Sequence, residues 1–108
     1  MASINMANDK AWVGAAWVLR SIAERLQRYG HFPSLAQGFA AVAAGVQYLD
    51  ITDLSGAEQA ELRRVVPLIV GDVKKGGPAL LDGPEFYAGF LAAYEELEQL
   101  VGETGSRE

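Results

Sequence analysis

Residues that could perform chemistry are few in this 108-residue chain. It contains no cysteine, and its one histidine, His31, lies in a Gly-His-Phe-Pro turn with no acidic residue beside it. Thiol chemistry, disulfides and the common structural zinc sites are therefore excluded. Glu95 and Glu98 are neighbours on one predicted helix, but general acid–base catalysis needs an enclosed site, and nothing in the sequence indicates one. We therefore expect no enzymatic activity, no metal and no cofactor.

Two further segments have the residue types of a ligand site. The segment 71–77 (GDVKKGG) has the glycines and lysines of a phosphate-binding loop, but it lacks Lys-Ser/Thr after the last glycine, and no helix follows directly. Asp50 and Asp53 could ligate a cation, although turn formation and helix capping explain aspartates in a turn equally well. We therefore expect surfaces, rather than ligand sites, to carry the function.

The composition is that of one globular domain, with 50% hydrophobic and 21% charged residues. The net charge of −5 and the sparse basic residues of the first predicted helix argue against nucleic acid as a partner. The apolar stretch 11–19 follows Asp9 without the net-positive segment that opens a signal peptide. The longest uncharged run, 29–49, has too short a helical part to span a membrane. We therefore expect a cytoplasmic protein that does not bind membranes.

Three segments rich in Gly, Pro, Ser and Asp, at 30–34, 50–56 and 76–84, divide the chain. The apolar periodicity between them predicts an all-α fold, a compact antiparallel four-helix bundle forming a single domain over residues 1–101. A flexible polar tail is expected over 102–108. The predicted helices span about 9–29, 35–49, 56–75 and 84–101.

Each predicted helix has a residue that can cap its N-terminus. Ser55 and Glu58 have the spacing of a capping box before the third helix. The other predicted caps are Asn8 or Asp9, Ser34 and Asp82.

The segment 65–70 is rich in β-branched residues and could form a strand instead. Pro67 in its middle argues against a central strand. On a helix the large apolar residues share one face while Pro67 points to solvent. We therefore favour a helix kinked at Pro67.

Two predicted helices carry more apolar surface than one core requires. Val13 and Trp17 lie near Arg20 on the polar side of the first helix, and the apolar arc of the fourth widens through Tyr87 and Leu91. Either another part of the chain covers these side chains, or they bind a partner, because Trp and Arg are enriched at interfaces. The predicted partner-binding residues are Val13, Trp17, Arg20, Tyr87, Leu91 and Tyr94.

The second predicted helix has almost no polar side. Gly38, Ala41 and Gly45 form a row of small residues that would let another helix approach closely. A helix that is apolar all round must be buried on several sides, so we predict a homodimer whose interface includes this helix or the fourth.

These features favour a small acidic regulatory protein, such as an inhibitor or antiactivator, that docks an apolar aromatic helix face onto another protein, for example a transcription regulator. The acidic C-terminal region would favour a basic partner. Two alternatives stay open: a structural subunit of a larger assembly, or a small-molecule-binding bundle. The residues that would line the pocket of such a bundle are Phe86, Phe90, Tyr94 and Trp12.

Overall fold

A computed structural model describes residues 1–6 and 9–105 of the chain. Its elements are four α-helices and one three-stranded sheet, so the predicted all-α bundle is wrong and the fold is mixed α/β. Three short 3₁₀ turns lie at Pro33–Leu35, Gly77–Leu80 and Pro84–Phe86. The strands are β1 (Ala2–Asn5), β2 (Ala11–Gly14) and β3 (Tyr48–Asp50), and the helices are α1 (Ala16–Tyr29), α2 (Ala36–Ala43), α3 (Gly56–Gly76) and α4 (Tyr87–Gly105).

Residues 9–14 were predicted to begin a helix, and that prediction is wrong. They form a turn and β2, which pairs antiparallel with β1 so that Trp12 lies opposite Ile4. Side chains alternate across a strand, so Trp12 points inward and is fully buried while Val13 points outward. Helix α1 begins only at Ala16, and its N-cap residue, Ala15, makes no side-chain capping bond.

The predicted cap of that helix has a different outcome for each candidate residue. Asn8 lies outside the described residues. Asp9 adopts a positive φ of 59° in the turn before β2, a conformation that aspartate tolerates better than most residues.

Residues 44–49 were predicted to end the second helix, and that prediction is also wrong. Helix α2 ends because Gly45 takes a φ of 108°, and the N–H groups of Gly45 and Val46 donate to the carbonyls of Val42 and Ala41 at 3.0 and 2.9 Å. This pair of bonds is a Schellman ending, which satisfies the last carbonyls of a helix. The chain then reverses into β3, which pairs parallel with β1 and places Leu49 beside Ile4.

The bounds of helix α3 agree with the predicted 56–75, while the kink at Pro67 stays a prediction. The segment 65–70 is helical, with Pro67 inside the helix on its exposed side. The predicted capping box is confirmed, since Ser55 Oγ accepts from the Glu58 N–H at 3.1 Å and the Glu58 carboxylate accepts from the Ser55 N–H at 3.3 Å.

The ends of α4 differ from the prediction. Asp82 does not cap the helix, because a 3₁₀ turn over Pro84–Phe86 precedes it and the N-cap residue of that turn is Gly83. At its other end α4 continues to Gly105, so residues 102–105 are helical; residues 106–108 of the predicted tail lie outside the described residues.

The core lies between the inner face of the sheet and the helices. The strand order is β2-β1-β3, and Trp12, Ile4 and Leu49 form one buried row across it. Helices α1, α2 and α4 contact the sheet, while α3 packs against α1 and α4. No helix in the described part of the chain is long and apolar enough to cross a membrane.

Candidate functional site

Large apolar side chains gather in solvent where β2 leads into α1 and where α4 begins. Trp17 is 42% exposed, Val13 is 50% exposed and Phe86 is 62% exposed. Leu80, also exposed, lies in the 3₁₀ turn that follows α3. We call Val13, Trp17, Leu80 and Phe86 the aromatic surface.

Two adjoining grooves shape this surface, and Trp17 and Phe86 line both. The larger has a volume of about 470 Å³ and runs between residues 13–18 and the first half of α4. Small residues of α4 (Gly89, Ala92 and Ala93) leave room for it. The smaller, of about 310 Å³, lies at Leu80–Gly83.

The position of Trp17 is set by Phe90, which is buried. The two rings stack with an interplanar angle of 3° and a centroid distance of 5.5 Å. Phe90 in turn packs against Tyr94, with a distance of 5.0 Å between the two ring centroids. Trp17 is therefore a partly exposed ring held on a rigid aromatic support, a suitable anchor for binding because little side-chain freedom remains to be lost.

A polar network beneath the rings joins three helices. Tyr94 OH lies 2.6 Å from Ser21 Oγ. Arg25 Nη1 donates to the same Ser21 Oγ, also at 2.6 Å. Arg25 Nε donates to Asp72 Oδ2 of α3 at 3.1 Å. Burial raises the pKa of Tyr94, so its hydroxyl stays protonated at neutral pH. Because α1, α3 and α4 are tied together here, the network fixes the helix that carries Trp17 against the helix that carries Phe90.

The edges of the two grooves are acidic. Glu96 lines the larger groove and Asp82 the smaller, and Glu85 precedes Phe86. No lysine or arginine is among the described residues that line either groove. The aromatic surface therefore has negative charge around an apolar centre.

This chain matches no protein-family model, no curated protein and no solved structure. Its function is therefore inferred from the geometry of its surfaces.

The predicted binding residues of the first helix separate into two places. Val13 and Trp17 both belong to the aromatic surface. Arg20 is exposed but lines a different, small groove with Phe39 and Val42, between α1 and α2. The structure therefore does not join Arg20 to Trp17 in one groove.

The predicted binding residues of α4 pack inward. Tyr94 is fully buried, and Leu91 is half-buried against the core. Tyr87 is also half-buried, and its hydroxyl donates to the Val73 carbonyl of α3 at 2.9 Å. These three side chains hold α4 on the protein, and the exposed aromatic residue is Phe86. The sequence predicted Phe86 as the lining of a pocket on the inner side of a helix that starts at residue 84, where the structure has a 3₁₀ turn instead.

The predicted row of small residues does not form a continuous surface for another helix. A β-carbon on Gly38 would lie 2.8 Å from Leu49 Cδ1, so Gly38 allows close contact with β3 rather than with a helix. Gly45 lies beyond the end of α2, with no atom within 4 Å of the position of its β-carbon. Ala41, between them, is half-buried.

Two of the residues whose types could perform chemistry, Asp50 and Glu95, have structural partners. The Asp50 carboxylate accepts from the Thr52 N–H at 2.9 Å and from its hydroxyl at 2.6 Å, and these bonds lower the pKa of Asp50. Glu95 pairs with Lys74 at 3.5 Å. Of the four residues predicted to line a small-molecule pocket, Phe86 and Phe90 line the larger groove, whereas Trp12 and Tyr94 are fully buried and are not among its lining residues.

Proposed function

We propose that this chain is a small acidic protein-binding module that regulates another protein, as an inhibitor or antiactivator does, by docking its aromatic surface onto that partner. The observation that carries the proposal is the exposure of Val13, Trp17, Leu80 and Phe86 around two adjoining grooves. Isolated apolar residues on a surface are ordinary, but a grouped patch beside a groove is typical of a binding site.

The anchors of this surface have the properties of interface hot spots. Tryptophan is enriched among the residues that dominate binding energy, and such residues act from positions that become fully desolvated in the complex. Trp17 is already stacked on Phe90, and Phe86 projects beside it. A partner that covers both rings removes apolar surface from water without having to order the indole first.

The charge of the surface favours a basic partner. Glu96 and Asp82 each line one of the grooves and Glu85 is next to Phe86 in the sequence, and charges at the edge of an interface accelerate encounter with a partner of opposite sign. Two copies of this surface would place like charges against each other, so it suits a different protein better than a second copy of this chain.

The homodimer is a separate proposal that uses another surface. Helix α2 exposes Ala36, Ala40 and Ala43, and Val46 beyond its end is 48% exposed. The side chains of this alanine face are short, so α2 of a second copy of the chain could approach it closely. Sedimentation equilibrium at micromolar concentration should give twice the monomer mass; a single species of 11.6 kDa would contradict the dimer.

The binding proposal is tested with surface variants of the whole chain. The wild type, Trp17→Ala and Phe86→Ala are used as baits in an extract of the source cells, and the captured protein is identified, purified and titrated by calorimetry. Each variant should weaken binding by about 30-fold, the effect of about 2 kcal/mol at a hot spot.

The matched control is Leu68→Ala, because Leu68 is 48% exposed on α3, outside the aromatic surface. Its affinity should stay within about twofold of the wild type, as expected for a residue outside the interface. Equal affinities for all four proteins, or no stoichiometric partner at all, would refute the proposed function.

A further inference from the structure

Strand β2 borders the larger groove with an open hydrogen-bonding edge. It is an outer strand of the sheet, next to β1 alone. The Met6 N–H donates to the Lys10 carbonyl at 2.9 Å. Because hydrogen-bonded pairs alternate along an antiparallel ladder, the backbone N–H and C=O groups of Trp12 and Gly14 also point toward β1. The N–H and C=O groups of Ala11 and Val13 therefore point away from the sheet, and no backbone group in the described part of the chain pairs with them.

Strand β2 lacks two of the devices that protect edge strands from pairing, a charged residue and a proline. Such strands usually carry a charge or a proline. The other outer strand, β3, includes Asp50, whereas β2 (Ala11–Gly14) has neither a charged residue nor a proline. The open edge of β2 is therefore chemically suited to accept another strand.

The edge and α4 form the two sides of the larger groove. Residues 13–15 lie on one side, and Phe90, Ala92 and Ala93 lie on the other. Helix α4 is held at this distance by Trp12, whose Nε1 donates to the Ala93 carbonyl at 2.9 Å. A strand added to β2 would direct every second side chain toward α4, because side chains alternate along a strand. Those side chains would meet Trp17 and the small residues of α4.

The charge in the groove indicates one more property of the added strand. Glu96 lines the groove on the α4 side, and no lysine or arginine is among its described lining residues. A lysine or arginine beside the apolar positions of the ligand would pair with Glu96, while a second acidic copy of this chain would not.

We propose that the partner binds by β-strand addition: an extended segment with alternating apolar residues and a nearby Lys or Arg pairs with the free edge of β2 and inserts its apolar side chains between β2 and α4. This inference rests on the proposed function, which requires only that the aromatic surface bind a protein. Strand addition is an established mode of peptide recognition, in which backbone bonds supply affinity and alternate side chains supply specificity.

The test begins with a phage-displayed library of random peptides of about nine residues, selected on the folded wild-type protein. A selected peptide is synthesised and titrated against Val13→Pro, Val13→Thr and Trp17→Ala. Proline at position 13 removes an N–H that faces the ligand and not β1, a location where edge strands tolerate proline. Threonine keeps that N–H and the β-branched shape, so it is the matched control.

The expected result has three parts. The selected sequences alternate apolar and other residues and include Lys or Arg. Both Val13 variants change a side chain of the aromatic surface, but only Val13→Pro also loses the N–H, so Val13→Pro weakens binding about tenfold relative to Val13→Thr, as loss of backbone hydrogen bonding predicts. When the amides of the peptide are N-methylated one at a time, the same loss of affinity occurs at every second position. Circular dichroism shows whether Val13→Pro folds. If it does not, the N-methylated peptides still test the proposal, because they are titrated against the wild-type protein.

Two results would overturn strand addition. One is a peptide whose apolar residues are three and four positions apart and whose binding is weakened by Trp17→Ala but not by Val13→Pro or by N-methylation of the peptide, because this pattern indicates that the peptide binds as a helix. The other is a library that yields no peptide dependent on Trp17. Neither result refutes the proposed function, which fails if the purified partner binds Trp17→Ala and Phe86→Ala as tightly as wild type, or if the protein captures no stoichiometric partner.

Discussion

Replacing each of the two tryptophans with phenylalanine should affect stability very differently. Trp12 is fully buried, and its indole N–H donates to the Ala93 carbonyl. Trp12→Phe loses this bond, worth about 1 kcal/mol, and leaves unfilled indole volume that costs about 1–2 kcal/mol more. The total of about 2–3 kcal/mol should lower the melting temperature by about 10–20 °C. Trp17→Phe keeps a ring on Phe90 in a half-exposed position and should cost about 0.5 kcal/mol.

Circular dichroism measures both melting temperatures, and fluorescence then checks the burial directly. Each variant retains a single tryptophan, since the chain has only two. The Trp12 left in Trp17→Phe should emit at shorter wavelength and resist quenching by acrylamide, whereas the Trp17 left in Trp12→Phe should be readily quenched. Equal melting temperatures, or equal quenching of the two indoles, would refute the placement of Trp12 on the inner face of β2.

Three further perturbations test other parts of the structure. Tyr94→Phe removes a buried hydroxyl from the network between α1 and α4 and should destabilise the fold by about 1 kcal/mol in urea denaturation; an unchanged midpoint would show that the network is not formed. Hydrogen bonds from the Ser34 hydroxyl and then from the Ser34 N–H lower the pKa of Glu58 to about 2, so the stability that this carboxylate contributes is complete above pH 4.5 and is lost as the pH falls from 4.5 toward 2. The urea midpoints of wild type and Glu58→Gln, measured over a pH series, should therefore converge in acid, and parallel curves would contradict this. Gly71→Ala, in open space on α3, should stabilise the fold by about 0.5–1 kcal/mol. Gly38→Ala, in α2, has a similar gain in helix propensity, but its β-carbon would lie 2.8 Å from Leu49 Cδ1, so it should be less stable than Gly71→Ala by about 1 kcal/mol. A reversed order of the two melting temperatures would count against the packing of α2 on β3.

The capping residue Glu58 also shows how a local motif acquires a tertiary role. Its spacing from Ser55 is visible in the sequence, and the capping box forms as predicted. The same carboxylate accepts from the Ser34 N–H at 2.9 Å and from the Ser34 hydroxyl at 2.7 Å. Ser34 was predicted to cap the second helix; it instead joins the turn before α2 to the start of α3, a contact between residues 24 positions apart.

Helix α3 could be predicted from the sequence because its determinants are local. A capping box, a long apolar periodicity and a proline on the exposed side all act within a few turns of the helix. The outward position of Trp17 was also predictable, since it depends only on the angle between residues along α1. The same reasoning failed for Phe86, because the 3₁₀ turn at Pro84–Phe86 changes that angle.

The sheet was not predicted, although two local signals for it are present. The alternation of Ala2, Ile4 and Met6 with polar residues is the period of a strand, and Gly45 stands where a helix can end in a Schellman motif. Both signals are short, and the longer apolar periodicities of the flanking segments outweighed them.

The sequence by itself determined the helical majority of the fold, the start of α3 and the outward position of Trp17, because each depends on neighbours within a few residues. Only the tertiary structure decided that β3 pairs with β1, that β2 has a free edge and that α4 lies beside it to form a groove. Strand pairing between Ile4 and Leu49 joins distant parts of the chain, and its energy depends on which surfaces the whole fold can bury.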